Sequence, residues 1–185
     1  AQRADKILII ARTTPKDQCA KPYLGLSLFY TDLDPNKIER QPIPKMGRKA
    51  VECNMLYIDG LEVPKDHLIG EEGEGFKYLL QGLNPERVLF AVESIGLGFA
   101  ALERAATYAK ERVVFGRPIG QNQGIQHPLA KAWAELSAAE MLAYKAAGLY
   151  DAGQDCGAEA NAAKYLGTEA GFRACETAVL THGGM

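Results

Sequence analysis

Short apolar runs broken by proline, glycine and aspartate occupy the first 68 residues, whereas from about Gly73 the apolar positions recur at helical spacing. Ile7–Ala11, Leu24–Thr31 and Ala50–Ile58 read as strands, and Asp59-Gly60 reads as a turn into Leu61–Val63. Pro35, Pro42, Pro44 and Pro64 punctuate the connections. Three or four strands make a poor sheet alone, so partner strands are expected before Ala1.

Asn84-Pro85-Glu86 reads as a helix start, with asparagine as N-cap, proline at the first helical position and an acid in the first turn. This predicts a helix from Pro85 to about Lys110. Val88, Ala91, Val92, Ile95, Phe99 and Leu102 form its apolar face, and small residues such as Gly96, Gly98 and Ala105 fill the rest. A polar, glycine-rich break at Phe115–Asn122 precedes a second helix, from about Gln126 to Ala152. A third, alanine-rich helix runs from about Gly157 to Thr181. The fold class is α+β: a β segment (residues 1–68), then an antiparallel α-helical bundle (residues 69–185).

Composition narrows the function classes. The net charge is −2 and no basic run exists, which argues against a nucleic-acid or membrane-surface binder. No apolar stretch is long enough to span a bilayer, and no signal-peptide pattern opens the chain. Cys19, Cys53, Cys156 and Cys175 form no CxxC and read as reduced thiols, which suggests the cytoplasm or the mitochondrial matrix. Both ends look cut, so a fragment is expected.

Arg112, Phe115, Gly116, Arg117 and Gln123 sit where one helix ends and the next begins. Two guanidiniums and an aromatic could grip a phosphate and a flat ring. From spacing alone the plainer reading is favoured, a basic helix C-terminus stopped by glycine. His67, His127 and His182 lack ligand spacing, so no metal site is expected. The glycines at 73 and 75 are not part of a dinucleotide-binding βαβ unit. Glu93 reads as a structural hydrogen-bonding group. Trp133 and Tyr144 read as core or interface residues, and Glu71, Glu72 and Glu74 as a solvated turn.

Arg112, Phe115, Gly116, Ile119 and Gln123 match in full an Arg-x-x-Phe-Gly-x-x-Ile-x-x-x-Gln stretch of the acyl-CoA dehydrogenase family. Pro42–Gly47 with Asn54–Val63 resembles the end of that family's middle β-barrel domain. Gly70–Phe76 resembles the lead-in to its C-terminal bundle, and His182-Gly183-Gly184 its Gly-Gly turn. The resemblance covers essentially the whole chain. It implies a partial β-barrel followed by the bundle, FAD bound across a dimer interface, and a homotetramer built as a dimer of dimers. Arg112, Phe115 and Gln123 would contact the FAD of a neighbouring subunit, and Gly183 and Gly184 a flavin pyrophosphate. Leu180 stands where many relatives carry glutamine.

The reaction implied is α,β-dehydrogenation of an acyl-CoA, with electrons passed to an electron-transfer flavoprotein. Its base is a carboxylate of raised pKa. Isovaleryl and long-chain members place that base in this helix directly before an arginine, which Glu86-Arg87 matches, with Arg87 orienting base and substrate. Most members use a later glutamate, which would lie beyond Met185. From the residues alone, Glu86 is a first-turn acid on a helix dipole and Arg87 a solvated charge. A flavin oxidase or monooxygenase of the same fold, and a non-catalytic oligomerisation module, are the rival readings. The 185 residues alone are expected to have little activity.

Overall fold

A computed structural model describes residues 2–184. The chain divides into two compact units, Ala1–Gln81 and Gly82–Met185. Sequence texture changes earlier, near residue 68, because one long helix begins inside the first unit and continues into the second.

In the first unit β1 (Lys6–Arg12) and β2 (Leu26–Asp32) pair antiparallel from Lys6↔Asp32 to Arg12↔Leu26, with a Lys6–Asp32 ion pair at one end. A second ribbon joins β3 (Ile38–Pro42) to β4 (Asn54–Ile58). The short β5 (Leu68–Ile69) extends the first sheet along the other side of β2. The expected strand at Ala50–Ile58 therefore starts only at Asn54. Its partner β3 carries just one buried apolar residue, Ile38, and so has little strand signature. Asp59-Gly60 turns no hairpin: Asp59 N–H donates to the Lys37 carbonyl (3.1 Å), closing the β3–β4 ribbon, and Leu61–Val63 forms no strand.

The helix expected to begin at Pro85 begins ten residues earlier, as α1 (Gly75–Glu111), with Pro85 inside it. Contacts to β2 decide the start. Gly73 N–H donates to Ser27 Oγ (2.8 Å), and Gly25 N–H donates to the Gly73 carbonyl (3.1 Å). Any Cβ on Gly75 would lie 2.5 Å from Leu28 N, so only glycine lets the first turn rest on the strand. Pro85 has no N–H to give the Gln81 carbonyl, but Gln81 is exposed and water can take its place. Asn84 caps nothing; its Oδ1 accepts from Arg87 Nη1 (2.8 Å).

The second unit is a three-helix bundle of α1 from Gly82 onward, α2 (Gln123–Asp151) and α3 (Gly157–His182). Ion pairs Lys145–Glu159 (3.1 Å) and Arg173–Glu135 (3.2 Å) fix α2 and α3 antiparallel. α1 and α3 run the same way and approach closely because their contact residues are small. A Cβ on Gly171 would lie 2.4 Å from the Ser94 carbonyl oxygen, and one on Gly167 3.1 Å from that of Ala91. Ala91, Ile95, Leu102, Leu136, Ala139 and Ala174 are among the buried core residues. Burying a side chain such as Leu136 stabilises by about 1.5–3 kcal/mol.

The outer surface is unusually apolar. Leu89, Leu97, Met141, Tyr165, Phe172 and Leu180 are exposed. Val92, expected on the core face, is exposed too. So are Trp133 and Tyr144, which removes the core reading for them and leaves the interface one.

Candidate functional site

The break between the first two helices is an ordered hairpin. Arg112 N–H bonds the Tyr108 carbonyl (2.8 Å), ending α1. Then β6 (Val113–Val114) pairs antiparallel with β7 (Arg117–Pro118). The two turn residues, Phe115 and Gly116, have φ of 53° and 77°, both positive as a type I′ turn requires. Positive φ on a phenylalanine costs about 1–2 kcal/mol, and this one sits at the hairpin tip with its ring wholly in solvent. Ile119 N–H to the Arg112 carbonyl (2.9 Å) extends the ladder by one pair. Since side chains alternate along a strand, Arg112, Val114, Arg117 and Ile119 share one face of the ribbon.

The next turn stiffens this face. Arg117 Nη2 donates to Asn122 Oδ1 (2.6 Å), and Asn122 Nδ2 donates to the Ile119 carbonyl (3.0 Å). Asn122 precedes α2, but its oxygen is turned to Arg117 and not to the helix N–H groups. Gln123 is the first residue of α2 and is exposed.

α3 ends beside the end of α1. The His182 ring stacks on Tyr108 with centroids 4.6 Å apart and planes at 24°. His182 Nδ1 lies 2.7 Å from the Ala178 carbonyl, which makes Nδ1 the protonated nitrogen. Gly183 follows with φ 67°, its N–H shared between the Val179 and Leu180 carbonyls (3.2 Å each). Of the residues singled out in the sequence, Arg112, Phe115, Gln123, Gly183 and Gly184 thus gather at one end of the bundle. Tyr108, which joins the two motifs by stacking on His182, is not singled out by the sequence, and His182 reads there only as part of the Gly-Gly turn and as no metal ligand. The only signal of the pairing is that each is an aromatic ring in the last turn of a helix entering one of those motifs.

Glu86 and Arg87 lie elsewhere. Twenty-five residues of α1 separate Glu86 from Glu111, roughly 37 Å at the helical rise. Glu86 is exposed and Arg87 is half-buried against Asn84, near the start of α3. The two sets of candidate residues therefore lie apart. Among the described residues no group of His, Cys, Asp or Glu is arranged to hold a metal, all four cysteines are free, and no helix is long and apolar enough to cross a membrane.

Comparison with known proteins places the chain in a family. The profile for the acyl-CoA dehydrogenase C-terminal domain matches residues 73–185. The chain belongs to the acyl-CoA dehydrogenase family. It is 42% identical over 182 residues to an acyl-CoA dehydrogenase of Bacillus subtilis, matching 98% of this chain and 47% of that protein. The butyryl-CoA dehydrogenase of Megasphaera elsdenii superposes with a TM-score of 0.90 at 30% identity, over 99% of this chain and 47% of that one. A prolyl acyl carrier protein oxidase superposes equally well (TM-score 0.90, 28% identity, 98% and 47%). The chain spans about half the length of the relatives it matches. Within acyl-CoA dehydrogenases that half holds the C-terminal helical domain, here the unit that carries both the hairpin and Glu86.

Proposed function

We propose that these residues are part of an FAD-dependent acyl-CoA dehydrogenase that oxidises an acyl-CoA thioester to its enoyl-CoA and passes the electrons to an electron-transfer flavoprotein. The observation that carries the reading is the Arg112–Gln123 hairpin standing beside the Gly183 turn. FAD dependence is general to the family, and the residues present fit such a group. Two guanidiniums on one ribbon face suit a diphosphate. The exposed Phe115 ring suits a flat heterocycle. Gly183 and Gly184 have open space where a Cβ would stand, so backbone can approach a ligand closely. Bound FAD would supply the acceptor for the substrate's β-hydrogen.

The chain's own residues supply the rest. The Glu86 carboxylate takes the α-proton, and Arg87, braced by Asn84, orients base and thioester. Glu86 is exposed in this chain, so the burial that raises a base toward working pH comes from surfaces closing over it. Hairpin and base lie roughly 37 Å apart along α1. An FAD gripped by the hairpin would therefore serve a base on another subunit, in keeping with a family-typical tetramer built from dimers. The apolar outer faces of α2 and α3 support such packing.

Full-length protein with Glu86→Gln is the test. Loss of about 10²–10⁴-fold in the rate of substrate oxidation is expected for removing a general base. Activity at parent level would move the role to a glutamate after Met185. The similarity to a prolyl acyl carrier protein oxidase favours a second reading, in which oxygen takes the electrons. Oxygen consumption without any electron-transfer protein would select it.

A further inference from the structure

We infer that Tyr108 and His182 form a positioning pair that sets the spacing between the arginine hairpin and the Gly183-Gly184 turn, and thereby how tightly the chain holds a diphosphate-bearing cofactor. The inference rests on the FAD-binding reading above.

Neither motif is placed by packing of its own. The hairpin strands are two residues each, its tip is in solvent, and Gly116 has nothing within 4 Å of a Cβ position. The ribbon is rooted instead in the last turn of α1, through Arg112 N–H to the Tyr108 carbonyl and through Gly120, whose Cβ position is 2.9 Å from the Ala109 carbonyl oxygen. The glycine turn is no better held. Gly183 and Gly184 are exposed with open space around them, and the last ordered side chain before them is His182.

The two roots meet in the stack. Tyr108 lies one helical turn before Arg112, and His182 adjoins Gly183 directly. The bond from His182 Nδ1 to Ala178 fixes the ring plane, so the stack has little rotational freedom. Both rings are half-buried, against the full exposure of the groups they position. A ligand that spans two attachment points is held well only while their separation is held. A misplacement of about 1 Å can cost on the order of 10²-fold at a tightly fitted site. The stack is thus a brace between the two binding elements.

FAD is stripped from the full-length protein and titrated back into the parent and into Tyr108→Phe, Tyr108→Leu, His182→Phe, His182→Leu and Arg112→Ala variants. Flavin fluorescence reports the binding, and thermal unfolding of each apoprotein is recorded in parallel. Tyr108→Phe keeps both the stack and the Nδ1 bond and should bind as the parent does, and His182→Phe keeps the stack alone and should weaken binding less than His182→Leu. Tyr108→Leu and His182→Leu should each weaken FAD binding about tenfold, and the double Leu variant no more than either alone, because one interaction is lost in all three. Leu variants that hold FAD as tightly as the parent would overturn the inference. So would Phe variants that bind as weakly as the Leu ones, or a melting-temperature drop with unchanged affinity, which marks plain packing. If Arg112→Ala weakens FAD binding and the Leu variants do not, the pair fails and the FAD reading stands. A parent that takes up no FAD ends both.

Discussion

The two ends of the helical bundle are built on opposite plans. At the hairpin end the framework is held within the chain: Arg117 on Asn122, the Arg112 backbone on Tyr108 and Ile119, the Gly183 N–H on the α3 carbonyls, and His182 on Tyr108. At the other end Arg87 is braced by Asn84, but Glu86 faces solvent. A cofactor grip needs donors in fixed places, which local hydrogen bonds can supply. A general base needs a dry setting, which this chain by itself does not make. On the proposed reading, the hairpin end can order its binding groups locally, while Glu86 needs a further surface to bury it.

The largest break in this contrast is Glu86→Gln, with its loss of about 10²–10⁴-fold in turnover and unchanged FAD affinity, read by substrate kinetics beside flavin titration. Next, Gly171→Val forces α1 and α3 apart, since even a Cβ would sit 2.4 Å from the Ser94 carbonyl oxygen. It should cost about 3 kcal/mol in denaturant unfolding and disturb both ends together. Phe115→Asn separates stability from binding at the hairpin. Asparagine accepts the positive φ that phenylalanine resists, so the folded chain should gain about 1 kcal/mol while the lost ring weakens FAD binding. Calorimetry and titration should move in opposite senses.

The smallest effect is electrostatic. The hydrogen bond from Lys145, together with the backbone bond at Glu159, holds the Glu159 carboxyl below its usual 4.5. A depressed carboxylate contributes stability that is fully present above the unfolded value and fades as pH falls through the folded one. Glu159→Gln should therefore melt slightly lower than the parent at neutral pH, and the gap should close in acid below the carboxylate range. A gap that persists there would assign the loss to packing.

Much of the bundle was legible in the residues. The second and third helices lie within three residues of the bounds their periodicity predicts, and the motif Arg112–Gln123 marked its own place in the chain. The misses share a cause. Asn84-Pro85-Glu86 is a sound local start signal, but contacts of Gly73 and Gly75 with β2 pull the start ten residues upstream. β3 escaped notice because its pairing with β4, and not its own apolar content, makes it a strand. Trp133 and Tyr144 are apolar on a helix, yet periodicity cannot say which face a neighbour covers.

The sequence by itself determined what is encoded locally: helical spacing, the turn glycines, the order of the motifs and, through them, the family. Only the tertiary structure decided which motifs meet. Arg112 and Gly183 are seventy-one positions apart and share one end of the bundle because α1 and α3 run side by side. Glu86 and Arg112 are twenty-six apart and never meet, because a continuous helix is too stiff to bring them together. Contact between distant residues depends on how rigid elements pack, and no local pattern carries that information.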